Sequence, residues 1–200
     1  GDVYAGYLAK KIGLPINKFV VATNQNDILH RAITNGVYNV ESVLETISPS
    51  MDIQIASNFE RLIFDLNNHS DKKTIDVMKD IKEKGKYEFQ KENLDKINID
   101  FLSSRMDENE VLNTIKTVYE KFDKVLDPHS AIGYGAFDKV NLKGNNIVLA
   151  TAHPCKFPDA IEKAINIKAE LPNELAFILD VKENYDILEN NLNKIKQHIK

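Results

Sequence analysis

The side chains best suited to chemistry stand in short polar strings. Thr151, His153 and Lys156 bring a hydroxyl, an imidazole and an ammonium into one such string, Thr151-Ala152-His153-Pro154-Cys155-Lys156. An imidazole holds or passes a proton near neutral pH, and a compact ammonium suits a phosphate or a carboxylate. Ser50 and Asp52 share Ser48-Pro49-Ser50-Met51-Asp52. Asn24, Asn26 and Asp27 crowd together after Thr23, Ser104 and Arg105 follow Ser103, and Asp127 stands before Pro128-His129. At the start, Gly1 precedes Asp2 and a helical pattern. The first N–H groups of a helix are unpaired and lie at its positive end, which suits an anion. Each string also has a plainer reading. Asn, Asp and Thr are the usual turn and cap residues, and a single His is often a satisfied, partly buried group, so residue type alone leaves capping and ligand binding both open. His129, His153 and Cys155 lack the closely paired ligands of a zinc site, and no metal is expected. Cys155 has no partner motif for nucleophilic catalysis and reads as a small buried hydrophobe. No phosphate loop or dinucleotide glycine fingerprint is present.

The strings gain meaning from the elements that must position them. Three follow short apolar runs that read as buried strands: Lys18 to Ala22, Ile99 to Ser103 and Ile147 to Ala150. Ile53 to Ala56, after Asp52, is a further short strand candidate. Helical periodicity runs over Asp2 to Ile12, Asp27 to Thr34, Ser57 to Leu66, Asp71 to Lys84, Asp107 to Phe122, Pro128 to Phe137 and Pro158 to Ile165. An amphipathic tail follows from Tyr185 to Ile199. Asn26 or Asp27 is the expected N-cap of its helix and Gly36 the residue that ends it, while Ser57 with Glu60 reads as a capping box. Strands alternating with helices, without tight hairpin turns, predict an α/β fold: a mainly parallel twisted sheet flanked by helices. In such sheets ligands gather at the carboxyl ends of the strands, where the polar strings lie. The polar stretch from Lys72 to Asn98 reads either as a peripheral helical insertion, over about residues 70–98, or as a solvated helical hairpin of the same domain.

With 200 residues, 42% hydrophobic and 28% charged, the chain is long enough to bury a sizeable core. A net charge of −4 lacks the basic footprint of a nucleic-acid binder. A single cysteine excludes an internal disulfide framework and points to a reducing cytosol. No apolar run suits a bilayer span, and nothing at the start reads as a signal peptide. The opening on Gly1-Asp2 rather than methionine fits processing, an imposed boundary or a fragment.

Five strings in fixed order go further: GDVYAGYLAKKIGLPI (Gly1 to Ile16), FVVATNQNDILHR (Phe19 to Arg31), SPSMDIQIASNFERL (Ser48 to Leu62), LDPHSAIGYGA (Leu126 to Ala136) and LATAHPCKFPDAI (Leu149 to Ile161). Together they resemble the C-terminal part of the threonine synthase family, in the subgroup of many bacteria and fungi. The resemblance implies a fold-type II pyridoxal-phosphate enzyme, akin in architecture to tryptophan synthase β, that converts O-phospho-L-homoserine and water into L-threonine and phosphate. It implies that residues 1–200 are the C-terminal part of the large cofactor-binding catalytic domain, with the N-terminal domain and the Schiff-base lysine lying upstream. Gly1 resembles the last glycine of the family's Ser-Gly-Asn-Phe-Gly phosphate loop, with Asp2 opening the helix that follows. Thr151 matches the residue that hydrogen-bonds the pyridine nitrogen. Asn26 and Asp27, with Asn24, are expected to line the cofactor crevice, and Ser50, Asp52, His153 and Lys156 to bind substrate. No residue of this chain is assigned a catalytic role, since none of its lysines matches the cofactor-bearing motif. Cys155 departs from the family's usual small residue. The expected partners are the small-molecule substrate and the protein's own N-terminal region, with self-association of the fragment; no nucleic acid and no membrane is expected. Two other readings stand beside this one: a non-catalytic fragment or interaction domain, and a related phospho-lyase.

Overall fold

The structure, a computed structural model, describes residues 1–199. In chain order they form α1 (Asp2–Lys11), β1 (Phe19–Thr23), α2 (Ile28–Asn35), β2 (Val37–Asn39), α3 (Glu60–Leu66), α4 (Asp71–Lys84), β3 (Lys86–Glu88), α5 (Lys91–Asp100), β4 (Phe101–Arg105), α6 (Glu108–Phe122), α7 (Pro128–Val140), α8 (Pro158–Ile165) and α9 (Leu192–Ile199). Gly1–Ala169 make one compact unit and the described residues from Glu170 onward a second.

β1 and β4 pair in parallel, from Phe19 opposite Phe101 to Thr23 opposite Arg105. Successive strand side chains point to opposite faces, so Phe19, Val21, Phe101 and Ser103 share one face and Val20, Ala22, Leu102 and Ser104 the other. Tyr7 of α1 covers the first face, its ring 6.2 Å from that of Phe19 and 5.2 Å from that of Phe101. His30 of α2 lies on the same face, 3.1 Å from the Ser103 hydroxyl. On the second face Ala22 packs against a cluster built from Val111, Ile115, Ile132 and Ile161, carried by α6, α7 and α8. This is the α/β arrangement expected, a parallel pair with helices on both faces. Ile115, Ile132 and Ile161 are wholly buried. Each is worth about 1.5–3 kcal/mol of burial, which locks α7 between its neighbours and fixes where its first turn points.

Local sequence explains several helix ends. Gly36 ends α2 at φ 73° and Gly85 ends α4 at φ 65°, left-handed positions that suit glycine. Ser70 caps α4 by accepting from Lys73 N. Asp107 and Glu110 form a reciprocal capping box on α6. Asp127 caps α7 with Pro128 in its first turn.

Several expectations are corrected. Ser57 does not cap a helix: Ser57–Phe59 form a 3-10 turn leading into α3, with no side-chain cap bond. Ile99 and Asp100 finish α5 instead of opening the strand. Ile53 to Ala56 and Ile147 to Ala150 form no strand. A β-branched run becomes a strand only against a neighbour, and no pairing partner for either run lies among the described residues. Ile147 is accordingly 89% exposed. A short antiparallel pair, β2 with β3, went unread because each strand spans three residues, too few to show a period. Within the polar stretch, Thr74, Val77 and Ile81 of α4 and Ile97 of α5 are buried, the last three joining the core of Ile28, Ile33, Leu62 and Ile63. In the second unit only Leu192–Ile199 of the amphipathic tail is α-helical, and a 3-10 helix spans Asn173–Asp180.

Candidate functional site

The chain leaves β1 through Asn24 and Asn26, both buried. A buried amide must find partners or lose stability, and these two find them in the loop before α3. Asn24 Nδ2 lies 2.9 Å from Ser48 Oγ, 3.0 Å from Thr46 Oγ1 and 2.7 Å from Asp52 Oδ1. Asn26 Nδ2 donates to Leu44 O at 2.8 Å and to Asp52 Oδ1 at 2.9 Å, and Asn26 Oδ1 accepts from Leu44 N at 2.8 Å. Asp52 Oδ2 accepts from Thr46 N at 2.8 Å. Asp52 is thus the acceptor centre of a network that ties residues 44–52 to the carboxyl end of β1.

A second network starts at Asp127, whose side chain is wholly buried. Its Oδ1 accepts from His129 N and from His129 Nδ1, each at 2.9 Å. Its Oδ2 accepts a short hydrogen bond from Ser130 Oγ. Burial pushes this carboxyl up, but the hydrogen bonds from His129 and Ser130 outweigh it and hold the group below its ordinary value. The carboxylate therefore only accepts. His129 must keep its proton on Nδ1, which leaves Nε2 free to accept from Ser50 N at 3.2 Å. Ser130 in turn accepts from Thr151 N at 3.1 Å. Phe157 packs on the His129 ring at 4.7 Å between centroids, closing the 151–157 loop against α7.

The structure thus gathers Ser50, Asp52 and Thr151 through residues that only partly stood out in the sequence. Asp127 and His129 were visible as a polar pair at a helix start; Thr46, Ser48 and Ser130 were not singled out as site residues, because isolated hydroxyls carry no spacing signal. Asn26 belongs to the first network. Asp27 turns elsewhere, pairing with Arg31 at 2.8 Å and Arg105 at 3.1 Å instead of capping α2 with its side chain. His153 accepts from Cys155 N at 3.2 Å and caps its own turn. Lys156 forms no ion pair among the described residues. The Thr151 side chain is exposed, and its hydroxyl makes no hydrogen bond among the described residues. Gly1 and Asp2 lie at the start of α1, where the first helical bond runs from Ala5 N to Gly1 O at 2.9 Å; the N–H groups of the first turn have no partner within the helix. A Cβ added at Gly1 would stand 3.8 Å from Asn58 Nδ2, which puts that helix start beside Asn58.

Other features lie apart. His30 donates from Nδ1 to Ser103 Oγ, whose own proton goes to Val21 O at 2.6 Å, and burial lowers the pKa of this imidazole. A shallow cavity of about 220 Å³, bordered by Tyr7, Asp65, Ile97 and Phe101, opens at the amino end of β4, away from the polar strings. Among the described residues no cluster of His, Cys, Asp and Glu is arranged to hold a metal, and no helix is long and apolar enough to cross a membrane.

Comparison with known proteins gives consistent findings. A family model described as "Threonine synthase, C-terminal" matches residues 130–199. The threonine synthase of Pseudomonas aeruginosa is 38% identical over 100% of this chain and 43% of its own length. That of Saccharomyces cerevisiae is 38% identical over 94% of this chain and 42% of its own length. Among solved structures, a PLP-bound threonine synthase from Brucella melitensis aligns with a TM-score of 0.88 at 39% identity, covering 99% of this chain and 43% of that one. The yeast threonine synthase aligns with a TM-score of 0.84 at 36% identity, covering 99% of this chain and 44% of that one. The chain spans less than half the length of the curated relatives it matches.

Proposed function

This chain corresponds along its length to the C-terminal part of the threonine synthases, and on that premise we propose that it is the C-terminal part of an enzyme that makes L-threonine and phosphate from O-phospho-L-homoserine and water. The observation that supports this most is the likeness of 99% of the chain to a PLP-bound threonine synthase. In this reading the chain forms the later part of the large catalytic domain, and an N-terminal region of the same protein supplies the cofactor-bearing lysine. The unpaired Cys155 suits a reducing, cytoplasmic setting.

Two features of the chain suit pyridoxal phosphate by their chemistry. The Thr151 hydroxyl is free to donate to an unprotonated pyridine nitrogen while its own backbone N–H is already engaged. The first-turn N–H groups of α1, after Gly1 and at Asp2, suit the cofactor phosphate. When bound, pyridoxal phosphate would supply an electron sink for negative charge at the substrate Cα and then Cβ, so that phosphate can depart from Cγ. The chain's own residues orient and hold. Thr151 sets the ring by one hydrogen bond. Asn26 shapes the crevice through the loop it clamps, and Asp27 through its ion pairs to Arg31 and Arg105. Ser50 and Asp52 from one loop, and His153 and Lys156 from the other, meet the substrate, with Lys156 as the cation for its phosphate or carboxylate.

The test is a titration of pyridoxal phosphate into this chain and, separately, into the full-length protein that carries it. A visible absorption band trapped by borohydride only in the full-length protein is the expected outcome, followed by threonine release from O-phospho-L-homoserine. Absence of the band in both would leave the interaction-domain reading, and 2-oxobutyrate in place of threonine would reassign the protein as a related phospho-lyase.

A further inference from the structure

We propose that Asp127, acting through the Ser130 hydroxyl, is the positioning residue for Thr151, so that a buried carboxylate rather than the 151–157 loop itself decides where the Thr151 hydroxyl stands. This deepens the proposed function and rests on its reading of Thr151. Among the described residues, 147–151 pair with no strand. The Thr151 backbone N–H is held by Ser130 Oγ at 3.1 Å. Ser130 has a direction imposed on it. The wholly buried Asp127 carboxylate is an acceptor only, so the Ser130 proton points to Asp127 and the Ser130 lone pair faces Thr151. The chain of hydrogen bonds therefore runs one way, from Thr151 N–H through Ser130 to Asp127, and no hydroxyl rotation satisfies the alternative. With its amide engaged, Thr151 presents a side chain whose own hydroxyl is uncommitted. The same carboxylate orients His129, which accepts from Ser50 N at 3.2 Å. One group thereby sets two amides, at Ser50 and Thr151, that are about a hundred residues apart in sequence.

A capping role alone would not reach this far. Asp127 already caps α7 by accepting from the backbone N–H of His129 and Ser130, and that role needs no hydroxyl at position 130. The hydroxyl matters only for the link onward to Thr151 and for the second donor to Asp127 Oδ2.

The experiment uses the full-length protein that carries this chain, with Ser130→Ala, Ser130→Thr, Thr151→Val and the Ser130→Ala/Thr151→Val pair. Amide hydrogen exchange without cofactor reads the Thr151 N–H directly. Pyridoxal phosphate titration reads affinity and the position of the visible band. Ser130→Ala is expected to speed exchange at Thr151, to shift the band and to weaken binding roughly tenfold, the loss of one hydrogen bond's net worth. Ser130→Thr restores both readouts, and the double variant binds no worse than Thr151→Val alone. Ser130→Cys, nearly isosteric, takes the place of the alanine variant if that one does not fold. Unchanged exchange and affinity in the Ser130 variants, or a loss that adds in full to that of Thr151→Val, would overturn the inference. No cofactor band in the unsubstituted protein would overturn the proposed function itself and this inference with it, whereas a normal band with indifferent Ser130 variants overturns this inference alone.

Discussion

Buried polar side chains do two jobs in this protein, holding loops and holding protonation states. His129 does both: it donates to Asp127 from Nδ1 and accepts from Ser50 N at Nε2. His129→Ala removes both partners at once and opens space against Phe157. We expect a loss of about 2–3 kcal/mol, seen as a lower urea midpoint, because the buried Asp127 carboxylate loses one of its donors, the Ser50 N–H loses its acceptor and a cavity opens beside Phe157. A loss under half a kilocalorie would mean that water replaces the ring at no cost. Asp65 gives the pH dependence. Burial pushes its carboxyl up, but hydrogen bonds from His69, Tyr4 and Lys11 pull it below its ordinary 3.8. Its partner Tyr4 is pushed up to about 12 by burial and by that same carboxylate. A depressed carboxylate stabilises the fold in full above the ordinary value, and that gain is lost as the pH falls through the lower folded value. Asp127 acts in the same direction. Unfolding free energy should therefore fall between about pH 5 and pH 2, and Asp65→Asn should flatten part of that slope while leaving Asp127's part. Equal slopes for the two proteins would remove Asp65 from the account. Of these residues, the Asp-Pro-His string was legible in the sequence as a helix start. Ser130 as the onward link was not, since its partner Thr151 is distant in the chain.

At the level of elements, cap chemistry was a dependable signal, and its misreading at Ser57 is instructive. Ser57 and Asp107 both precede a Glu by three residues. Only Asp107 caps, because its backbone is extended, at φ −85° and ψ 171°, before a full α-helix, whereas Ser57 already lies within a 3-10 turn. Asp107→Ala is expected to cost about 1 kcal/mol by thermal or urea unfolding, and Ser57→Ala close to nothing. Similar costs for both would mean that the capping box is incidental. Gly36 is a stricter case. It sits at φ 73°, and a Cβ there would approach the Leu94 side chain to 3.2 Å. Gly36→Ala should destabilise by about 1–2 kcal/mol, more than an alanine at the equally left-handed Gly85, where the nearest atom would be 3.9 Å away. A larger cost at Gly85 than at Gly36 would put the strain elsewhere than in the Leu94 contact.

At the scale of the whole molecule, two strands make a small parallel sheet, an arrangement that ordinarily needs both faces covered and more strands beside it. Ile147, Leu149 and Ile55 stand 89%, 51% and 65% exposed. Apolar surface of this kind drives association. The chain by itself should therefore form concentration-dependent oligomers in sedimentation, reduced by Ile147→Lys with Leu149→Lys; a monomer at all concentrations would show that this surface is tolerated in water. What the sequence by itself determined is set by short-range physics: the period of α4, α6 and α8, the caps and glycines that end helices, the alternation that makes an α/β fold, and the ordered strings that carry the family likeness. What only the tertiary structure decided is set by partners distant in the chain. A β-branched run is a strand at Phe19–Thr23, where Phe101–Arg105 lies beside it, and not at residues 147–150, where no described strand does. Likewise Asp27 turns to Arg31 and Arg105, while Asp52 and Asp127 become the centres of buried networks. A carboxylate goes where donors converge, and convergence is a property of three dimensions that no local spacing records.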